Sequence, residues 1–390
     1  MDFGEKHSCT QQQNGYFVLQ SARNFNKKME NRYLSLDAFR GITMFLLVGE
    51  AAQMYSSLEN AFPSGHFLHG LVEQFHHHPW AGLRFWDLIQ PFFMFIVGVA
   101  MPFSLKSRMN KGDSWSKCLQ HILWRSLLLF LFGTGLHCVY SGKLVFELWN
   151  VLTQLSFTIP LTFLLMRTDW KWQIGASMVL LIVTEICYRM YDPIAPFVKD
   201  INFGSAMDIL LMGKLNDGGG WVTFNCVPTA AHTIWGALCG KLLLEQKTSA
   251  GHVKTFLLAG IIALAVGFGL HWMGVTPIIK RIATTAFVFA SGGWAILALA
   301  FFHWLIDLKN IRAWVWPFSI VGMNSIFIYV FIESLGGQWV VPTIRIFNDG
   351  FLGNFGLGPA ALLITNSIFA WSFFWFICWF LNKHRIYFRI

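Results

Sequence analysis

Charge is what this sequence has least of. Only 13% of its 390 residues are Asp, Glu, Lys or Arg, about half the share of a soluble globular chain, so a water-soluble globule is excluded. Paired cysteines are also missing. Cys9, Cys118, Cys138, Cys187, Cys226, Cys239 and Cys378 form no CxxC pair and no metal-ligand spacing, which argues against a disulfide framework or structural zinc. Runs of alternating polarity are absent, so a membrane β-barrel does not fit. The formal charge of +9 is not gathered into a basic tract, so nucleic acid is not an expected partner. Residues 1–32 are polar, without the apolar core and cleavage site of a secretory signal, and the first apolar helix is expected to act as an uncleaved insertion signal.

What is abundant is apolar sequence in long runs, 55% of the residues overall, each run near the roughly 20 residues needed to cross the hydrocarbon core. With lipid as solvent, backbone polar groups must be paired within each segment, which means helices. The fold expected is all-α, a polytopic integral membrane protein of about ten transmembrane helices. The spans are 36–57, 85–105, 118–140, 148–166, 172–192, 222–244, 255–273, 283–306, 314–334 and 357–382. Lys and Arg cluster in alternate connecting segments, which places both termini in the cytoplasm. The chain then reads as a cytoplasmic segment (1–35), one transmembrane domain (36–382) and a cytoplasmic tail (383–390). Ser56 to Arg84, Asp192 to Trp221 and Gly336 to Gly356 are the long segments on the far side, able to form caps or re-entrant elements. Gly98, Gly133, Gly236 and Gly240 read as close helix contacts.

Ionisable groups inside lipid cost several kcal/mol and each needs a reason. Asp37 and Arg40 stand three residues apart on one face of the first helix, with Glu50 deeper on it. The pair is either a structural ion pair or a fork of donors for an anion, held by Asp37. Arg125, inside the third helix, either snorkels to headgroups or joins Arg40 in a phosphate site. His76, His77 and His78 precede Trp86-Asp87-Leu88 at the head of the second helix. Three adjacent histidines cannot all face one metal, so no metal is expected, and the alternatives are proton transfer or a bland surface loop. In the ninth helix Asn324, Ile328 and Ile332 share one stripe, and Ser325, Tyr329 and Glu333 the next. Such stripes either glue helices together or line a water-filled cavity.

These clusters, in this order, resemble the transmembrane acyltransferase family of heparan-α-glucosaminide N-acetyltransferase and its bacterial relatives. Ser35-Leu36-Asp37-Ala38-Phe39-Arg40-Gly41 is similar to the family's first-helix Asp-x-Phe-Arg-Gly. His77, Trp80, Gly82, Asp87, Leu88, Pro91, Phe93, Phe95, Ile96 and Gly98 keep the spacing H-x-x-W-x-G-x-x-x-x-D-L-x-x-P-x-F-x-F-I-x-G. Trp124-Arg125-Ser126, Pro277 with Lys280, and Gly322-Met323-Asn324-Ser325 follow in family order. The chain departs from the pattern at Glu50-Ala51, where relatives carry an asparagine. It departs again at Leu152-Thr153-Gln154, and at Pro277-Ile278-Ile279-Lys280, which lacks the asparagine usual before the lysine.

The resemblance implies transfer of an acetyl group from cytosolic acetyl-CoA to an amino-sugar or glycan acceptor on the opposite face. It makes His77 the catalytic histidine, acting as general base or acyl carrier, and leaves His76 and His78 as neighbours. On that reading Asp87 orients the imidazole, and Asn324 donates to the developing oxyanion. Arg40 and Arg125, with Asp37, hold the carrier phosphates, while Glu50, Ser325, Tyr329, Glu333 and Lys280 face the acceptor. A homodimer in a bacterial inner membrane is expected. The rival reading is a carrier or flippase for a saccharide or lipid-linked precursor, which usually shows repeated halves that are not seen here.

Overall fold

A computed structural model describes residues 33–245 and 248–388. The expected amino-terminal segment, including Cys9, lies almost wholly outside them. The described residues are helical and contain no strand. The helices are α1 (Leu34–Ala51), α2 (Met54–Ala61), α3 (His69–Glu73), α4 (Ile89–Met109), α5 (Trp115–Ser141), α6 (Val151–Leu165), α7 (Trp170–Tyr191) and α8 (Phe203–Met212). They continue with α9 (Cys226–Leu244), α10 (Ser249–Trp272), α11 (Thr285–Phe302), α12 (Trp316–Met323), α13 (Ser325–Phe331), α14 (Val341–Leu352) and α15 (Pro359–Lys383). Among the described residues, seven segments are long and apolar enough to cross a membrane: Phe85–Met109, Trp115–Ser141, Trp170–Tyr191, Ser249–Trp272, Thr285–Leu308, Ser325–Phe355 and Pro359–Lys383. The chain is an integral membrane protein whose described residues are helical.

Burial divides these spans into two kinds. The span containing α4 and that containing α11 are 67% buried, whereas α5, α7 and α10 are only 22% buried. The first two are therefore central, and the other three offer apolar faces such as Leu123, Leu127 and Leu131 on α5 to lipid. Lipid is as apolar as leucine, so close backbone approach at small residues is what brings such helices together. α4 and α9 show this directly. A Cβ on Gly98 would overlap the Thr233 carbonyl, and one on Gly236 the Phe95 carbonyl; Gly240 sits likewise against Val99. Gly236→Leu is expected to cost about 3 kcal/mol through overpacking. It should appear as early thermal loss of the monodisperse species in detergent. Gly337→Leu, with nothing within 4 Å of its Cβ, serves as the unaffected control.

Two expectations are corrected. The first span ends at Ala51, because Gln53 adopts a left-handed φ of 60° and α2 starts afresh beyond it. The ninth span does not run smoothly over 314–334. It breaks at Asn324 between α12 and α13 and then continues through a π-helical stretch, Ile332–Val340, into α14. Gly336 to Gly356, expected to form a cap or re-entrant element, is thus mostly helix. The π turns absorb the Gly336-Gly337 pair, and Pro342 stands just past the point where they give way to α14.

Candidate active site

The loop before α4 is folded around one carboxylate. Asp87, 1% exposed, sits in a short 3-10 turn, Phe85–Leu88, that leads into α4. Its Oδ2 accepts the backbone N–H groups of His78 (3.2 Å) and Arg84 (3.0 Å), and its Oδ1 lies 3.1 Å from His77 Nδ1. Arg84 also donates to the His77 carbonyl at 3.1 Å and pairs with Glu73. The two acceptor atoms of a single carboxylate therefore tie the whole His77 to Arg84 turn together. Gly82 is required there: it has a φ of 155°, and a Cβ on it would overlap the His78 ring.

A second loop, between α10 and α11, completes the group. Thr284 fixes it by accepting the Ile279 N–H at 3.0 Å and donating to the Pro277 carbonyl at 2.6 Å. The Gly82 N–H donates to Ile278 at 2.8 Å and pins this loop to the first. Lys280 is thereby buried, with Nζ 3.1 Å from His77 Nδ1 and 3.7 Å from Asp87 Oδ1. Burial brings the Lys280 ammonium down to about 8, against the opposing pull of Asp87. Burial, reinforced by Lys280, also lowers the His77 imidazole below its ordinary value. The Trp221 indole lies 5.8 Å from the His77 ring and 5.4 Å from Lys280 Nζ.

His77 opens into a cavity of about 190 Å³ at the head of α4. Glu50, Lys280, Tyr329 and Glu333 share this lining, with Gln90, Asn150, Trp86, Trp149 and Trp221. Trp86 donates to Glu50 at 2.9 Å and Tyr140 to Glu333 at 2.6 Å. His76 and His78 are not in the lining; His76 faces Glu59, and the His78 ring packs on Gly82.

A second cavity, also about 190 Å³, lies at the other end of α4, where α4 gives way to α5. Arg40, Arg108, His121 and Arg125 line it, together with Ser104 and Ser325. Phe93 belongs to the walls of both cavities. One helical stripe also serves both: Ser325 faces the basic cavity, while Tyr329 and Glu333, one and two turns on, face the imidazole cavity. The stripe lines cavities and does not simply glue helices.

Not every expected residue joins these two sites. Asn324 is fully buried at the helix break, where its side chain donates to the Ile386 carbonyl (3.1 Å) and accepts from the Phe388 N–H (3.1 Å). It holds the carboxy-terminal tail and lines neither cavity, so the oxyanion role expected of it has no geometric support. Asp37 is half-buried, its carbonyl beside Gly322 at the α1 to α12 contact, and the basic cavity is lined by Arg40 without it.

His121, Trp149, Asn150 and Trp221 were not singled out from the sequence. Trp221 had one signal, the preceding Gly218-Gly219-Gly220. A Cβ on Gly219 would press on the Arg281 guanidinium, which donates to the Gly219 carbonyl and lies over Trp221. Among the described residues no cluster of His, Cys, Asp and Glu could hold a metal.

The family defined by a domain of unknown function (DUF5009) matches residues 32–217, a range that takes in Arg40, His77, Asp87 and Arg125. Mouse heparan-alpha-glucosaminide N-acetyltransferase is 23% identical over 88% of this chain and 60% of its own length. The human protein of the same name is 33% identical over 26% of this chain and 13% of its own. The chain thus spans about 60% of the length of the mouse relative. Its sequence is thus similar, at low identity, to that of the mouse heparan-alpha-glucosaminide N-acetyltransferase along most of its own length.

Proposed function

We propose that the protein is a membrane acyltransferase that moves an acetyl group from acetyl-CoA in the basic cavity to an amino-sugar or glycan acceptor in the imidazole cavity. The observation that carries this reading is the pair of cavities meeting at Phe93, one lined by three arginines and the other by a histidine, a lysine and two carboxylates. The likeness to N-acetyltransferases supports it. Arg40, Arg125 and Arg108 would bind the carrier's phosphates, with forked donors suited to them. The pantetheine arm would pass Phe93 and bring the thioester to His77.

There His77, oriented by Asp87, takes a proton from the acceptor amine through Nε2 as the nitrogen attacks the thioester carbonyl. The tetrahedral intermediate then collapses, the C–S bond breaks, and the imidazolium returns the proton to the departing thiolate. An acetyl-imidazole intermediate on the same nitrogen is the alternative course for the same residues. Gln90 and Asn150 supply the amide groups that Asn324 does not bring to the cavity. Glu50 and Glu333 accept from the acceptor's amine and hydroxyls, and Trp86, Trp149 and Trp221 offer faces for the sugar ring.

On the same reading α1, α6 and α9 join the seven long spans to give ten crossings, with both termini and the basic cavity on the cytoplasmic side. Residues 36–382 act as one transferase unit, and the protein works as a homodimer in a bacterial inner membrane. The deciding experiment uses radiolabelled acetyl-CoA and glucosamine with the purified full chain in lipid. Label on the sugar supports transfer; sugar movement across the bilayer without label supports a carrier.

A charged hydrogen bond is worth about 1.5–3 kcal/mol. The double variant Arg40→Met, Arg125→Met is therefore expected to raise KM for acetyl-CoA roughly 100-fold while kcat falls much less. Initial rates across acetyl-CoA concentrations, repeated with an acetyl thioester lacking the nucleotide, check it: the difference between wild type and variant should vanish with the truncated donor.

A further inference from the structure

One nitrogen of His77 faces two groups that cannot both be satisfied. Nδ1 is 3.1 Å from Asp87 Oδ1 and 3.1 Å from Lys280 Nζ. The carboxylate only accepts, so it needs Nδ1 to carry hydrogen; an ammonium only donates, so it needs the Nδ1 lone pair. We propose that Lys280 sets the tautomer of His77: as an ammonium it takes the Nδ1 lone pair and leaves the hydrogen on Nε2, and on losing a proton it frees Nδ1–H to bond Asp87 and makes Nε2 a base. This rests on the reading of His77 as the general base of acetyl transfer.

The exchange balances within the site. The ammonium hands one proton to Nδ1 while Nε2 releases its own to water in the cavity. Lysine and imidazole both end neutral, with one proton delivered to solvent. Lys280 is held for this by the Pro277 to Thr284 turn and cannot swing away, being 7% exposed. The charged groups around it are Asp87 at the head of α4, Glu50 on α1, Arg281 beside it over Trp221, and Arg84, which holds the His77 carbonyl. Asp87 and Glu50 favour the ammonium; Arg281 and burial oppose it. The balance at about 8 puts the exchange within reach of ordinary pH. Lys280 is on this account a positioning residue, acting through His77 without touching the reacting atoms.

The full chain, labelled with nitrogen-15 at histidine and placed in lipid discs without substrate, tests this by proton–nitrogen correlation spectra from pH 6.5 to 9. The His77 signal is assigned by its loss in His77→Gln. In the wild type, the hydrogen on the ring is expected to move from Nε2 to Nδ1 with a midpoint near pH 8. Lys280→Met should hold it on Nδ1 throughout, and Lys280→Arg on Nε2 throughout. A wild-type His77 carrying hydrogen on Nδ1 at every pH overturns the proposal, and this needs no variant to fold.

Turnover of acetyl-CoA with glucosamine is measured alongside. The rise in kcat through pH 8 should be present in the wild type and lost in Lys280→Met; a rise of the same size in both overturns the control by lysine. Spectra that move as stated in a protein with no turnover uphold the lysine's control and remove the acyl-transfer reading alone.

Discussion

Replacing His77 by alanine is expected to lower kcat for acetyl transfer about 1,000-fold, the middle of the range for losing a positioned general base, with KM for acetyl-CoA almost unchanged. The reason for the split is distance along the molecule. His77 lines only the imidazole cavity, whereas the groups proposed for the carrier line the other one, beyond Phe93. The cut is also local in its structural effect, since the loop is held by backbone donors of His78 and Arg84 on Asp87 and not by the imidazole. Stopped-time assays with labelled acetyl-CoA, with carrier binding followed separately by calorimetry, distinguish the two parameters. Retention of wild-type kcat in His77→Ala would remove His77 from the chemistry.

Asp87→Asn should be nearly as damaging, by about 100- to 1,000-fold in kcat, although it changes one atom and no volume. The backbone N–H groups of His78 and Arg84 both point at Oδ2 and demand an oxygen there. The amide is therefore forced to turn its NH2 toward His77 Nδ1, which must then accept. Hydrogen moves to Nε2, and the ring can no longer take a proton from the acceptor. The opposite amide orientation keeps the tautomer but sets two donors against a third in a buried site, at about 1–3 kcal/mol for each unmet group. The test compares Asp87→Asn with Asp87→Glu. Equal kcat in Asp87→Asn and wild type would show that the carboxylate has no part in orienting the imidazole.

The membrane character of the chain was legible in its length and composition of apolar runs, because lipid leaves a segment little freedom except to be a helix. The helix contacts at Gly98, Gly236 and Gly240 were legible for the related reason that only a missing side chain lets two backbones meet. At the two sites, residues carried on regular helices were readable from periodicity. Arg40, Arg125, Ser325 and Tyr329 sit where helical spacing places them, and Glu333, just inside the π stretch, keeps to the same stripe.

What escaped was decided by irregular backbone. Asn324 looked like a member of a continuous stripe, and the break at that residue turned it toward the tail. The ninth span was expected to end at residue 334, and π turns carry the helix on through Gly336-Gly337. Trp221 reaches His77 from a connecting segment far from it in sequence, and the contact of Lys280, itself an expected site residue, with Nδ1 of that ring depends on another. Their approach depends on how Gly219, Gly82 and Thr284 fold those segments, which no hydropathy pattern encodes.

Phe93 lines both cavities and so stands in the partition between them. On the proposed topology, that thin partition takes most of the voltage difference between the two compartments. Moving a unit charge across such a drop involves about 2.3 kcal/mol per 100 mV, whereas an acetyl group carries no charge and feels none of it. On the proposed reading, the transferred group would cross against or along the field alike, while the carrier's phosphates would stay with Arg40, Arg108 and Arg125.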